Sequence, residues 1–519
     1  MDVVARFKKI NQLSDSKQYV FALLAGLCLP LSFAPIHAIF FVFLSPLVLF
    51  TLWQNKTPVQ AFRLGFAFGF GFFSLGLSWV YVAIHVYGET PAWIGVVMTA
   101  LFASYLALFI AVQGWLGAKI TWRYNIPFNL QALIILPSLW LLFEWIRGWF
   151  LTGMPWLHLG YAFSMPPLSG YAPVLGVYGV SFVSVFITGL LFFTLSGKAK
   201  SQHKKTWFSV LAILVVGFGL SNIEWTQQKS KNIKVSLVQG NAEQITKWDA
   251  DKIKLRMDTY SDLSKQHWDS DVVLWPENSM TVFYHQIEKS FLLPLVKEAK
   301  QSNTDLIIGI PFLDNEGEHY YSSMMSFAAD DKGKDSYSGV FHKVHLVPFG
   351  EYVPLANLIR GLVNFLDLPM SGFSKGSANQ PLLKMRGEPL ATSICYEDSF
   401  GEELIRQLPE ATILMNGSNN AWYGNSLAPH QHLQIAQMRS IETGRMLIRA
   451  TTNGISAFVD HKGHIIAKAP QFKPSVLTNM VQPRTGSTPY VRWGNWPIIS
   501  FAFVLLFGVI IYSNRTKNT

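Results

Sequence analysis

Seven apolar runs occupy most of the first 222 residues, and an eighth lies near the end of the chain. They fall at 18–36, 38–53, 60–84, 92–117, 129–150, 173–196 and 206–222, with the last from about Trp493 to Tyr512. A bilayer's hydrocarbon core is about 30 Å thick and takes roughly 17–25 helical residues, so the runs read as membrane-spanning helices. The first two are short and broken by Pro30, Pro35 and Pro46, which suits a helical hairpin with a tight turn. Arg6, Lys8 and Lys9 before the first run suit a cleaved signal peptide, but another apolar run follows at once where a polar mature segment would be expected.

The net charge is +10, and its location decides what it means. Residues 1–222 hold 13 Lys/Arg against 4 Asp/Glu, residues 515–519 add two Lys/Arg, and residues 223–514 hold 27 against 28. The excess therefore lies between apolar runs, which is an orientation signal and argues against nucleic-acid binding. Arg6, Lys8, Lys9 and Lys17 precede span one, Lys56 and Arg63 flank the 2–3 loop, and Lys119 and Arg123 lie in the 4–5 loop. Lys198, Lys200, Lys204 and Lys205 fill the 6–7 loop, and Arg515 and Lys517 follow the last span. Loops of the other parity are nearly free of Lys/Arg. With positive loops inside, both termini are cytoplasmic and residues 223–492 lie on the outer side; eight spans satisfy this parity and seven do not.

Two features inside the spans are open to a functional reading. Gly65, Gly69, Gly71 and Gly76 resemble a nucleotide loop only superficially, because no strand precedes them and no Lys-Ser/Thr follows; close helix packing is expected. Glu144 and Arg147 lie three apart near the outer end of span five, where charge is costly unless paired or hydrated. They read as a structural ion pair or as a contact to a lipid headgroup.

From Asn232 the pattern changes to short β-rich runs alternating with amphipathic stretches. "KVSLVQGN" (234–241), "DVVLWPEN" (271–278), "TDLIIGIPF" (304–312) and "PLATSICYE" (389–397) read as buried strands ending in polar residues. Residues 285–301 and 429–444 read as helices, and 447–469 as strands around a Lys-Gly turn. Strand, helix, strand is an α/β pattern, with reactive groups expected at strand ends. The chain divides into residues 1–222 (seven spans), 223–492 (outer domain) and 493–519 (last span and tail).

There are two cysteines, Cys28 in span one and Cys395 in the outer domain, so no disulfide can form within that domain. Cys28 is a small apolar residue in a span. Cys395 is either inert and buried or kept for reactivity. Its neighbours favour reactivity. Glu277 follows "LWP" at a strand end, and Lys343 sits in the otherwise apolar "GVFHKVHLVPFGEYVP" (339–354), where an ammonium is expensive without a role. A carboxylate can take a thiol's proton, and an ammonium can stabilise the oxyanion that follows attack on a carbonyl. Glu, Lys and Cys on three strand ends of one sheet would supply base, oxyanion stabiliser and nucleophile. The histidines beside Lys343 (His342, His345) and those at 430 and 432 have no Cys or carboxylate at a recognised ligand spacing, so no metal or cofactor is expected. Asn416-Gly-Ser matches a glycosylation sequon, but its apolar strand context favours a site-lining or turn role.

The ordered triplet resembles the Glu–Lys–Cys triad of the nitrilase superfamily, whose domain is an α-β-β-α sandwich. Within it, the frame of about eight spans with an outer catalytic domain resembles the apolipoprotein N-acyltransferase family. "TGMPWLHLGYAF" (152–163), "QGN" (239–241) with Trp248, "FGEYVP" (349–354) and "NGSNNAWYG" (416–424) extend the likeness over nearly the whole chain. The resemblance implies Glu277 as base, Lys343 as oxyanion stabiliser, Cys395 as nucleophile, and supporting roles for Trp248, Glu351, Tyr396 and Glu397. It further implies a ping-pong acyl transfer in a bacterial inner membrane with a periplasmic catalytic domain: from a phospholipid, through a Cys395 thioester, to the α-amine of a diacylglyceryl-cysteine apolipoprotein. A membrane-tethered amidase or nitrile hydrolase with water as acceptor would use the same triad but leaves eight spans unexplained. A transporter would place ionisable residues deep in several spans, where few occur.

Overall fold

The structure, a computed structural model, describes residues 11–196, 203–242, 244, 250–314, 316–330, 337–352 and 372–518. Trp248 and the loop charges Arg6, Lys8, Lys9, Lys198 and Lys200 lie outside the described residues. Contacts divide the chain into two compact units, one of Met1–Ile223, Ser426–Glu442 and Thr488–Thr519, the other of Glu224–Asn425 and Thr443–Ser487.

The first unit is helical. Among its described residues, six helices are long and apolar enough to cross a bilayer: Pro58–Gly76, Ala92–Tyr124, Phe128–Arg147, Leu168–Leu195, His203–Ser221 and Trp496–Thr516. The first two apolar runs form a shorter pair, Asp15–Cys28 (14 residues) extended by the 3₁₀ turn Leu29–Ser32, and Phe41–Trp53 (13 residues). At 1.5 Å per residue each helix of that pair is about 20 Å long, short of a full hydrocarbon core.

Local chemistry sets the helix ends. Thr57 caps Pro58–Gly76 reciprocally: its hydroxyl accepts from the Gln60 N–H, and the Gln60 side chain accepts from the Thr57 N–H. Asn125, in a left-handed conformation, closes the 33-residue helix Ala92–Tyr124. The glycines pack as small residues do at helix crossings. A Cβ on Gly65 would lie 2.7 Å from the Ile110 carbonyl oxygen, and one on Gly71 only 2.4 Å from that of Leu23. Large apolar side chains stay exposed on the outer helices, including Val96 and Leu101, Leu211 and Val215, and Val504 and Phe507, as lipid-facing surfaces require.

Glu144 and Arg147 are both buried and are not paired directly. His158 stands between them, its Nδ1 3.6 Å from Glu144 Oε2 and 3.0 Å from Arg147 Nη2. Arg147 donates to the carbonyls of Met154 (2.9 Å) and Trp156 (2.5 Å), and Glu144 accepts from Trp140 Nε1 and the Leu159 N–H. The two charges thus fasten the "GMPWLHL" segment back onto the helix end.

Helix Ala428–Thr443 follows a strand of the other unit in sequence but packs with the spans. Gln431 Oε1 accepts from both Trp156 Nε1 (2.7 Å) and Trp79 Nε1 (3.2 Å), while its Nε2 donates to the Gly76 carbonyl. Gln434 accepts from the Ala34 N–H, and Glu442 accepts from the Val177 N–H at 2.7 Å and pairs with Arg439. This polar helix satisfies donors that a purely apolar bundle would leave stranded.

The second unit is a sandwich of two six-stranded sheets. Its strands are β1 (Thr226–Gln228), β2 (Ile233–Gln239), β3 (Val272–Leu274), β4 (Asp305–Leu313), β5 (Tyr320–Phe327), β6 (Gly339–His342), β7 (Lys384–Met385) and β8 (Glu388–Ile394). There follow β9 (Ile413–Ser418), β10 (Leu447–Thr451), β11 (Ala457–Val459), β12 (Ile465–Lys468), β13 (Ser475–Val481) and β14 (Arg484–Gly486). Sheet one runs β13-β2-β3-β4-β5-β6 and sheet two β12-β11-β10-β9-β8-β7, each with three central parallel strands, while β1 pairs with β14. The sheets bury Val235, Leu237, Leu274 and Ile307 of one against Ile394, Met415, Ile448 and Phe458 of the other. On the outer face of sheet one, Val273, Leu306 and Ile308 pack against Tyr260, Leu295 and Val296 of the helices Ala250–Lys265 and Leu293–Gln301. Short helical turns, Gly401–Leu404 and Ile405–Gln407, lie on β8, which completes the α-β-β-α layering.

Candidate active site

The site forms where β3, β6 and β8 end. Glu277 follows β3 after Trp275 and Pro276, and sits where two glycines leave room for backbone. A Cβ on Gly309 of β4 would fall 2.1 Å from the Pro276 carbonyl oxygen and 2.7 Å from Glu277 Cα; one on Gly417 of β9 would lie 3.3 Å from the Glu277 nitrogen. Glu277 is 3% exposed, and both its oxygens are engaged. Oε1 accepts from Lys343 Nζ (3.0 Å) and Ser322 Oγ (3.4 Å), and Oε2 from the Asn419 N–H (2.9 Å).

Lys343 is the first residue after β6 and is 1% exposed. Besides Glu277 it donates to Glu351 Oε1 at 2.6 Å, and Glu351 Oε2 accepts from the Val347 N–H at 2.8 Å. Burial alone would lower the ammonium's pKa, but Glu277 and Glu351 reverse this and hold it well above the usual lysine value. Burial and the Glu277 charge push the Glu351 carboxyl up against the pull of Lys343. The lysine is a fixed cation between two carboxylates, and removing it would leave a buried pair of anions.

Cys395 ends β8 and opens the 3₁₀ turn Cys395–Ser399 with φ +57°, a left-handed conformation that costs a non-glycine residue about 1–2 kcal/mol. Burial and the Glu277 carboxylate raise the thiol's pKa above its ordinary value, with Lys343 opposing them. The resting sulfur is therefore a neutral thiol whose ionisation needs a base at hand. Asn416 Nδ2 donates to the Cys395 carbonyl at 2.9 Å. Glu397 accepts from the Ile394 N–H on one oxygen and from the Val344 and His345 N–H groups on the other, at 2.6–2.8 Å. It thereby ties the approach to Cys395 to the residues after Lys343; burial lifts its carboxyl to about 7 against those donors. The Tyr396 hydroxyl donates to the Leu346 carbonyl, and its ring lies against His345 and Phe400. A cavity of about 290 Å³ is lined by Glu397 with Phe341, Thr392, Ser393, Leu404 and Arg406, but not by Cys395, Lys343 or Glu277.

Two family models match the chain, the apolipoprotein N-acyltransferase N-terminal domain over residues 25–190 and carbon-nitrogen hydrolase over 234–490. The apolipoprotein N-acyltransferase of Methylococcus capsulatus is 39% identical over 505 residues, covering 97% of this chain and 97% of that one. The chain belongs to the apolipoprotein N-acyltransferase family. The Coxiella burnetii member is 38% identical over 489 residues, 94% of this chain and 98% of its own. Among solved structures, a carbon-nitrogen hydrolase from Helicobacter pylori is similar at 18% identity over 52% of this chain and 94% of that one, with a TM-score of 0.36.

Membership in this acyltransferase family gives the geometry its chemical frame. Of the residues singled out in the sequence, the structure brings Glu277, Lys343 and Glu351 into one hydrogen-bonded group and sets Cys395, Tyr396 and Glu397 beside it; Trp248 lies outside the described residues. One expectation needs correction. Glu277 and Lys343 end strands of sheet one, but Cys395 ends a strand of sheet two. Strand periodicity reports which residues face a core and not which sheet they join, so convergence across two packed sheets cannot be told from convergence on one. Sequence reasoning missed Ser322 and Arg449. Only Arg449 carried a signal, a charge in the middle of the apolar strand "LIRAT".

Proposed function

We propose that the protein moves a fatty acyl chain from a membrane phospholipid, through a Cys395 thioester, to the α-amine of a diacylglyceryl-cysteine at the N-terminus of an apolipoprotein. The observation that carries the reading is the buried Glu277–Lys343–Glu351 group beside Cys395, the single cysteine of the outer domain, in a chain of this family whose other half is apolar helices. In the first step Glu277 takes the thiol proton as sulfur attacks the ester carbonyl, and Lys343 faces the oxyanion that forms. Collapse breaks the ester bond, and the departing lysophospholipid oxygen takes the proton back from Glu277. In the second step the amine attacks the thioester and gives its proton to Glu277. The thiolate leaves, recovers that proton, and an amide remains. Glu351 holds Lys343 in place, Glu397 and Tyr396 hold the turn that carries the sulfur, and Trp248 is assigned a supporting role.

The acceptor separates a transferase from a hydrolase on the same residues. An unperturbed α-amine has a pKa near 7.7–8.0, so a useful fraction is nucleophilic at neutral pH, whereas water is abundant and must be kept away from the thioester. Acyl-enzyme mixed with a diacylglyceryl-cysteine peptide is expected to lose its acyl group rapidly, with the chain recovered as an amide. The same peptide with a blocked amine should leave the thioester intact. Free fatty acid as the main product with the unblocked peptide would establish the hydrolase instead.

We further propose a bacterial inner-membrane location with both termini cytoplasmic and residues 223–492 periplasmic. The alternating Lys/Arg loops support it, and the parity is the same whether the short pair Asp15–Cys28 and Phe41–Trp53 counts as two spans or none. Reporter fusions after Lys205 should read cytoplasmic and those after Lys231 periplasmic; a cytoplasmic signal at Lys231 would remove the site from its lipoprotein substrates.

A further inference from the structure

We propose that Arg449 is a positioning residue for the nucleophile, its guanidinium fixing the Asn416 amide and the turn Cys395–Ser399, and through them the backbone of Cys395. The proposal rests on the reading of Cys395 as nucleophile. Ser393, Asn416 and Arg449 stand in one row across β8, β9 and β10, each the direct partner of the next. Arg449 is 1% exposed, between Ile448 and Ala450, which are fully buried. As a stabiliser a buried cation in a strand compares poorly with an apolar residue of similar size, so its geometry is the informative part.

The guanidinium carries donors only. Its Nη1 donates to Asn416 Oδ1 at 2.5 Å, and Ser418 Oγ donates to the same oxygen at 2.6 Å. The amide is therefore held with its oxygen toward the arginine and its Nδ2 toward the Cys395 carbonyl at 2.9 Å and Ser393 Oγ at 3.0 Å. Without Arg449 the amide oxygen keeps only the Ser418 hydroxyl, and the amide that donates to the carbonyl of Cys395, a residue already at φ +57°, is less firmly fixed. The same Nη1 also donates to Asp398 Oδ2 at 2.9 Å, and so ties the turn Cys395–Ser399 to the Asn416 amide through one nitrogen. Nη2 donates to Asn420 Oδ1 at 3.3 Å, next to Asn419, whose N–H holds Glu277. One side chain thus supports both the sulfur's backbone and the segment that seats the base. Its charge also acts on the Cys395 thiol in the direction that favours the thiolate.

The test is single-turnover acylation of full-length protein in detergent with a phospholipid donor, read by intact mass, so that the rate constant is separated from the fraction of folded enzyme. Arg449→Met and Asn416→Asp are each expected to lower the rate constant about 100-fold, the scale of roughly 1 Å misplacement, with the half-saturating phospholipid concentration nearly unchanged. Arg449→Met should also move the pH–rate profile to higher pH, because a cation near the thiol is gone. Arg449→Lys should restore the profile but not the rate, since one ammonium cannot stand in for two nitrogens, Nη1 on Asp398 and Asn416 and Nη2 on Asn420. The double variant should be little worse than either single one. A lower acylated amplitude with an unchanged rate constant and profile would mean a purely structural arginine and overturn the proposal. Should Arg449→Met not accumulate, Asn416→Asp decides by the same criteria. Cys395→Ala in the same assay keeps the two readings apart: wild-type acylation there removes the nucleophile itself, whereas an inert Cys395→Ala beside a wild-type Arg449→Met removes only the arginine's role.

Discussion

Cys395→Ala is expected to abolish acyl transfer, by at least about 10⁴-fold, as loss of a covalent nucleophile does elsewhere. Intact mass should show a fatty-acyl adduct on phospholipid-treated wild-type protein and none on the variant. Cys395→Ser should be almost as poor. Burial already raises the thiol's pKa, and a hydroxyl in that place is far harder for Glu277 to deprotonate. Cys28→Ala is the control, because that cysteine lies in the helix Asp15–Cys28 among apolar side chains and should leave the rate unchanged. Full activity in Cys395→Ala would end the assignment.

The second large effect belongs to the charges beside the sulfur. Glu277→Gln and Lys343→Met should each reduce acyl-enzyme formation by about 10²–10³-fold or more, the loss expected of about 3–4 kcal/mol of transition-state stabilisation. They should differ in the cold protein. Lys343→Met leaves Glu277 and Glu351 buried without their cation and is expected to lower stability by about 3–5 kcal/mol. Glu277→Gln leaves Lys343 paired with Glu351, while its own amide group cannot accept from the Asn419 N–H and Lys343 at once. Lys343→Arg should not rescue the rate, because a planar fork does not fit a socket built for a compact ammonium. Thermal melts with stopped acylation assays check both parts, and a near-wild-type rate in either first variant would contradict a shared site.

Much of this architecture could be read from residue patterns because its strongest signals are one-dimensional. Apolar runs gave the helices; the strands of 234–241, 304–312 and 389–397 appear within a residue or two at one end as β2, β4 and β8. Glu277, Lys343 and Cys395 stood out as polar groups at the ends of apolar strands. What escaped notice depended on partners distant in sequence. Arg449 reads as an oddity until Asn416 and Asp398 are placed on it, more than thirty residues away. Glu144 and Arg147 at helical spacing suggest a pair, but the returning segment offers carbonyl groups to Arg147 and the Leu159 N–H to Glu144, with His158 between them. Helix Ala428–Thr443 is the sharpest case. Its Gln431, Gln434, Arg439 and Glu442 look like a solvated face, and only contacts to Trp79, Trp156, Ala34 and Val177 show them buried.

The bond between Gln431 and Trp156 spans 275 residues of chain, and that with Trp79 spans 352. At synthesis rates of about 5–20 residues per second, the ribosome reaches Gln431 roughly 14–55 s after it has made Trp156. Through that interval the two indole N–H groups lack the acceptor that serves them in the finished protein, in a setting where an unsatisfied donor is costly. The helical half of this enzyme therefore cannot complete its own hydrogen bonding on emergence. It must wait for a late-made segment, so the half that is synthesised first is among the last to reach its final form.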